Sequence, residues 1–185
     1  MPNEPEPQGL LALIRLQLAR WPARLNADGQ SVVLEDQDCS LWDQRQIADA
    51  LGLLQRAAAM GRPGRYQVEA AIAGVHCEAP TWAATNWPQV LEFYSMLMAL
   101  DPSPVVALNR AIAMRYVRGA APALQEIDRL TDALDRYHLL HATRARLLKD
   151  LGRDAEAAAA DARALELTKN PAERALLSDR LAGQA

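Results

Sequence analysis

Apolar residues recur every three or four positions through most of this chain, which is the spacing of amphipathic helices. Two such stripes are Ile47, Leu51 and Leu54, then Val68, Ile72 and Val75. Glycines such as Gly61, Gly119 and Gly152 punctuate the pattern where helices would end. The pattern predicts about nine helices and no sheet-built core.

The N-terminal third has three local features of its own. Its first predicted helix should end near Trp21-Pro22, and its large apolar residues are Leu10, Leu11, Leu13, Ile14 and Leu18. The short run Val32-Val33-Leu34 could be extended chain. Ser40 and Asp43 have the spacing of a capping box, which predicts that a helix opens there.

Part of the helical pattern repeats at a fixed spacing along the chain. Arg110-Ala111 recurs as Arg144-Ala145, and Ala123 recurs as Ala157. A small residue at the crossing of two helices lets them approach closely, and this spacing is the tetratricopeptide period of about 34 residues. Arg110 and Arg144 depart from the usual pattern, which has a large apolar residue at that point. Either their stems are buried with the heads in solvent, or each pairs with a buried acid.

These features predict an all-α, tetratricopeptide-like stack of antiparallel helical hairpins. We expect one domain over residues 1–185. Residues 1–63 would form N-terminal helices and a loop, residues 64–170 three hairpins, and residues 171–185 a capping C-terminal helix. An unrelated α-helical bundle is the alternative.

Composition agrees with packed helices and limits the function classes. Half the residues are hydrophobic but only 5% are aromatic, and the net charge is -3. An acidic chain does not favour an extended nucleic-acid-binding face. The apolar run from Gly9 to Leu18 is too short to span a bilayer. Cys39 and Cys77 fit a reduced, cytoplasmic setting.

The residues that could carry catalysis or bind a metal do not form a complete set. His138 and His141 are spaced as a possible metal pair but have no evident third and fourth ligand. His76 and Cys77 are adjacent, so their side chains diverge on a helix, and a core cysteine is the simpler interpretation. We therefore predict no enzyme, no metal and no cofactor.

Repeat geometry instead predicts a binding groove, because the first helix of each hairpin lines the concave side of such a stack. The predicted groove residues are Glu69, His76, Asn109, Arg115, Tyr116, Thr143, Arg146 and Lys149. Arg115, Arg146 and Lys149 would make one end basic and suited to an acidic segment. The alternative is that all eight are ordinary solvated helix residues.

Several motifs, in order, resemble the C-terminal extension of a group of extracytoplasmic-function sigma factors, bacterial RNA polymerase subunits that select promoters. They are Glu4-Pro-Glu6, Gly9-Leu-Leu-Ala-Leu13, Leu34-Glu-Asp-Gln-Asp38, Ser40-Leu-Trp-Asp43, Tyr66-Gln-Val-Glu-Ala-Ala-Ile-Ala73, Pro102-Ser-Pro-Val-Val-Ala-Leu-Asn-Arg-Ala111 and Tyr137-His-Leu-Leu-His-Ala142. Cys39 departs from the arginine expected between Asp38 and Ser40. The resemblance covers nearly the whole chain and carries no catalytic residues.

The resemblance implies a regulatory or accessory domain, expressed alone or encoded separately, because the chain has no basic helix-turn-helix. Its expected partners are the promoter-binding regions of a sigma factor, core RNA polymerase, or both. We expect no direct contact with nucleic acid and none with a membrane. The alternative function is a small-molecule sensor with a pocket near His76, Asn109 and Arg110.

Overall fold

A computed structural model of the chain describes residues 4–27, 29 and 32–183. These residues form ten α-helices and no β-strand, which confirms the all-α fold class. The helices are α1 (Pro5–Ala19), α2 (Gln44–Ala58), α3 (Arg65–Glu78), α4 (Trp87–Leu100), α5 (Pro104–Arg118), α6 (Ala120–Asp128), α7 (Thr131–Leu134), α8 (His138–Asp150), α9 (Asp154–Leu167) and α10 (Pro171–Ala182). Short 3-10 turns lie at Trp21–Ala23, Leu34–Asp36, Cys39–Leu41 and Trp82–Ala84.

The chain divides into two compact units, Met1–Asp101 (unit 1) and Pro102–Ala185 (unit 2). Unit 1 holds α1 to α4, and unit 2 holds α5 to α10. The single domain over 1–185 stays a prediction, and each unit is described by itself below.

In unit 1, α1 packs against both α2 and α3, and α3 packs against α4. The face that α1 turns inward is made of small residues around one leucine: Pro5, Gly9, Ala12, Leu16 and Ala19. Small side chains let two neighbouring helices approach α1 closely. Glu6 extends from α1 to the start of α3, where its carboxylate accepts bonds from the backbone N–H groups of Tyr66 (3.1 Å) and Gln67 (3.3 Å). This carboxylate therefore caps α3 from a different helix.

The segment between α1 and α2 bears on two local predictions. Val33 has the extended backbone that was expected for this run, with φ of -66° and ψ of 153°, and a 3-10 turn at Leu34–Asp36 follows it. The capping box predicted at Ser40 is wrong: α2 begins at Gln44, and Asp43 alone caps it by accepting from the Gln46 N–H at 2.9 Å. The Ser40 N–H instead donates to Asp38 in the preceding turn.

In unit 2, α5 pairs with α6 and α8 pairs with α9, while α6 packs on α8 and α10 packs on α9. Gly119 and Gly152 turn the two hairpins with φ of 87° and 70°, a left-handed conformation that favours glycine. The repeat alanines occupy equivalent buried positions in the two hairpins: Ala111, Ala145, Ala123 and Ala157. Asn170 caps α10 by accepting from the Ala172 and Glu173 N–H groups.

The hairpin of α5 and α6 contains a break that the apolar pattern does not indicate. Its second helix, α6, ends at Asp128, and the short α7 follows. The Leu130 N–H bonds to the Ile127 carbonyl in a tighter turn, and the Thr131 hydroxyl donates to the Asp128 carbonyl. These bonds replace the regular α-helical ladder and end α6.

Candidate functional site

In unit 2 the structure brings together the predicted basic residues of the groove. Arg115 and Tyr116 lie at the end of α5, and Arg146 and Lys149 lie exposed on α8. The Arg115 guanidinium binds the Asp150 carboxylate through two nitrogens, one of them at 3.1 Å. It also donates to the Tyr116 hydroxyl at 2.8 Å and lies over that ring. Asp150 therefore neutralises part of the charge that the sequence assigned to this surface.

A cleft of about 480 Å³ opens beside these residues in unit 2. Its lining residues are Ala145, Arg146, Lys149, Asp150, Asp161, Asp179, Arg180 and Gly183. Asp161 is only 2% exposed, and Arg180 lies 3.9 Å from its carboxylate. The cleft thus presents acids and bases side by side, where the sequence predicted a basic end.

Sequence reasoning missed the acids of this cleft. Asp161 follows Ile127 by one full repeat, so a charged residue stands where the preceding hairpin has a fully buried apolar one. That mismatch was the available signal, because a buried carboxylate requires a charged partner. Asp179 and Arg180 lie on the terminal helix, outside the repeat, and carried no such signal.

The two remaining groove residues of unit 2 are also repeat equivalents. Asn109 on α5 and Thr143 on α8 are one repeat apart, and both are half-buried. Arg144 forms an ion pair with Asp128 at 2.8 Å. Its partner is well exposed, so the repeat arginine is held by a surface acid and not by a buried one.

In unit 1 the two predicted groove residues lie on α3 in contact with neighbouring side chains. Glu69 is half-buried and bonds to Arg65 at 2.8 Å. His76 stacks on Trp82 at 5.5 Å between ring centres and meets the edge of Trp87 at 5.4 Å. Burial first, and the Arg20 charge second, lower the pKa of His76 to about 4. The imidazole is therefore neutral at pH 7.

The two histidines considered as a metal pair interact with different neighbouring groups. His141 is buried and its Nε2 lies 2.7 Å from the Asp135 carbonyl oxygen. His138 lies 2.9 Å from the Glu173 carboxylate. Within residues 4–27, 29 and 32–183 no cluster of three His, Cys, Asp or Glu side chains is placed to hold a metal ion.

A row of exposed apolar side chains in unit 1 runs along α1 and into the 3-10 turn at Trp21–Ala23, where the sequence indicated only an apolar helix. Leu11, Ile14, Leu18 and Trp21 succeed one another at alternating steps of three and four residues and are 43%, 46%, 52% and 61% exposed. We call these four residues the α1 seam. The inward face of α1 takes the small residues and Leu16, so the large apolar residues of the seam are left outside. An apolar stripe of a helix normally faces a partner that covers it.

The fold and these surfaces define an all-helical protein of antiparallel hairpins with a partly apolar surface. Residues 1–58 match the model of a family of unknown function, DUF6596. The chain is 43% identical over 176 residues to uncharacterized protein R00370 of Rhizobium meliloti (strain 1021). That alignment covers 95% of the chain and 42% of the relative, so the chain spans less than half the length of the curated relative that it matches. No solved structure matches the chain.

No helix in the part of the chain that the structure describes is both long and apolar enough to cross a membrane.

Proposed function

We propose that this chain is a regulatory, protein-interaction domain of an extracytoplasmic-function sigma factor. It modulates transcription initiation in the cytoplasm by contacting the promoter-binding regions of the sigma factor, core RNA polymerase, or both. The motif resemblance supports the class of protein. The proposal assigns the domain no catalytic step, no cofactor and no direct contact with nucleic acid.

The observation that carries the proposal is the α1 seam. Four large apolar side chains in a row are a costly surface to leave in water, and such patches are typical of docking sites. Steps of three and four residues are those of helix–helix seams, which receive an apolar stripe of a second helix. A helical segment of the partner is therefore the expected occupant.

Charge around the seam defines the occupant further. From Gly9 to Leu25 the charged residues are Arg15, Arg20 and Arg24, with no Asp or Glu among them. Arg20 is buried, so Arg15 and Arg24, which are half-buried, carry the positive charge near the surface. A partner helix with acidic residues beside its apolar stripe complements this face, because opposite charges at the rim of an interface favour encounter and fix register.

Association with the cognate sigma regions tests the proposal, measured by co-purification and by calorimetry at tens of micromolar in moderate salt. Leu18→Glu places a charge in the middle of the seam and should weaken association by about tenfold or more. Leu176→Glu is the matched control, since Leu176 is also exposed but lies on α10 in unit 2. Absence of association with the unaltered chain, or equal loss in both variants, would count against the proposal.

The cleft of unit 2 favours a second function, that of a small-molecule sensor. Its volume of about 480 Å³ lies within the ordinary range of ligand pockets, and its walls carry both signs of charge. A zwitterionic metabolite has matching chemistry. A thermal-shift screen tests this: a ligand that raises the melting temperature of the chain alone, but not of Lys149→Ala, supports the sensor. No shift with any zwitterion would remove it.

A further inference from the structure

A second cleft, of about 290 Å³, lies in unit 1 where the end of α1 meets the segment before α2. Its lining residues are Arg20, Arg24, Val32, Leu34 and Gln37. Two cations, one amide and two apolar side chains thus surround one cleft, and none of these five residues belongs to the α1 seam.

The two arginines converge on a single acceptor. The Oε1 atom of Gln17 accepts from Nη2 of Arg20 at 2.7 Å and from Nη2 of Arg24 at 2.5 Å. Among the described residues, neither arginine forms an ion pair with a carboxylate. One amide oxygen therefore serves two positive charges, which is weak compensation.

The lack of a compensating negative charge is costly in free energy at Arg20, because this side chain is buried. It is only 7% exposed, and its Nε is buried without a hydrogen-bond partner. Its guanidinium lies over the Trp42 ring at 5.9 Å from the ring centre, a cation–π contact that stabilises the charge in part but supplies no anion. A buried cation is expensive unless an anion or several acceptors compensate it. An anion in the cleft would supply what the described chain does not.

Gln37 adds a second requirement. Its Nε2 donates to the Val32 carbonyl at 3.2 Å, which fixes the orientation of the amide. Its Oε1 is then left buried without a partner. The cleft therefore presents two cationic donors and one acceptor that needs an N–H or O–H group.

We propose that this cleft binds a phosphate group that carries at least one proton. The two guanidiniums bind the anionic oxygens, and the P–O–H group donates to Gln37 Oε1. The phosphate belongs either to inorganic phosphate or to a monoester, and the apolar walls at Val32 and Leu34 suit the body of a monoester. Binding of such a ligand would make the domain respond to a phosphate compound as well as to its protein partner.

Calorimetry near pH 6.5 tests the site with three probes at equal ionic strength: inorganic phosphate, phenyl phosphate and sulfate. A monoester has its second pKa near 6, so a useful fraction carries one proton there, whereas sulfate carries none. Phosphate probes should bind about tenfold more tightly than sulfate, because only they can satisfy Gln37. The tighter of inorganic and phenyl phosphate identifies the source.

Three variants locate the binding. Arg24→Gln should weaken both phosphate probes by about tenfold, and Gln37→Leu should abolish the preference over sulfate. Arg15→Gln is the matched control, because Arg15 lies on α1 but does not line the cleft. The Nε–Hε signal of Arg20 in a nitrogen-15 spectrum should shift on saturation with phosphate.

Lack of saturable binding by the folded wild-type chain would overturn the proposal. Equal affinity of the wild-type chain for phosphate and sulfate would overturn it too, as would full affinity in Arg24→Gln. Because these titrations contain no protein partner, their outcome is independent of whether the α1 seam binds a sigma region.

Discussion

At the scale of single residues, His76 shows how burial decides what a predicted binding residue can do. Its place between Trp82 and Trp87 keeps the imidazole uncharged at neutral pH, with a pKa lowered to about 4. It therefore brings no positive charge to an acidic partner near pH 7. The residue instead holds the turn at Trp82–Ala84 against α3.

His76 should make the protein less stable in acid. Because its pKa is below the ordinary value of 6.5, the unfolded chain takes up this proton more readily than the folded one. The stability that His76 contributes is complete above pH 6.5 and is lost as the pH falls towards 4. The loss is at most about 3 kcal/mol. His76→Phe keeps the aromatic stacking and removes the titration, so it should lose less stability over this range.

Urea unfolding of the wild-type chain and of His76→Phe at pH 7 and pH 4.5 measures the difference. Carboxylates titrate in both proteins alike, so their contribution cancels in the comparison. Parallel losses in the two proteins would show that folding does not lower the pKa of His76.

The two cysteines should differ widely in reactivity. Cys77 is buried in the core of unit 1, and burial raises the pKa of its thiol to about 11. Cys39 is half-buried in the loop before α2, and both thiols are free. Since the thiolate is the reactive form, a disulfide reagent at pH 8 should label Cys39 at least about tenfold faster. Cys39→Ser should remove the fast phase, and a fast phase that persists in that variant would place the reactive thiol at Cys77.

At the scale of elements, the crossing of α1 and α3 depends on Gly9. A Cβ atom there would lie 2.6 Å from Cγ and 2.7 Å from the backbone nitrogen of Gln67. Backbone cannot give way as a side-chain tip can, so Gly9→Ala should force the helices apart. We expect a loss of about 1 to 3 kcal/mol in the free energy of unfolding.

Gly52→Ala is the matched control for this prediction. Gly52 is also inside a helix, but its Cβ would meet nothing closer than 3.5 Å. Alanine there should be neutral or stabilising by up to about 1 kcal/mol. Denaturant unfolding compares the two variants, and equal stability of both would show that α1 and α3 do not approach closely at Gly9.

Elements whose signals are local were predictable from the sequence. The turns at Gly119 and Gly152 and the cap at Asn170 each depend on one residue and its immediate neighbours. The orientation of α1 was not predictable, because large apolar residues occur on several of its sides and only the neighbouring helices decide which side is buried. The end of α6 at Asp128 likewise depends on bonds from Leu130 and Thr131 that have no periodic signal.

The polar site of unit 2 shows the same limit. Repeat spacing placed Arg146 and Lys149 on an exposed face of α8, as the structure has them. It did not place Asp150 against Arg115, because an ion pair between two helices depends on how those helices pack. The sequence therefore predicted a more positive surface here than the structure shows.

At the scale of the whole molecule, there are two candidate docking sites for a protein partner. The α1 seam is apolar with arginines beside it, whereas the cleft of unit 2 is polar and carries both signs of charge. Salt weakens an ionic interface but not an apolar one, because screening shortens the range of charge interactions and leaves apolar burial intact.

Association with a sigma region should therefore persist at high salt. Raising the ionic strength from about 0.1 M to about 1 M shortens the screening length from about 10 Å to about 3 Å. If the seam supplies most of the contact, as proposed, the dissociation constant should change by less than about tenfold. Lys149→Glu should change it by less than about threefold, since one exposed ionic contact contributes little.

Calorimetric titrations of the wild-type chain and of Lys149→Glu at the two salt concentrations measure these changes. Leu18→Glu is the variant expected to bind weakly in either buffer. A large loss of affinity at high salt and in Lys149→Glu, together with unchanged binding by Leu18→Glu, would show that the partner binds at the cleft of unit 2 and not at the seam.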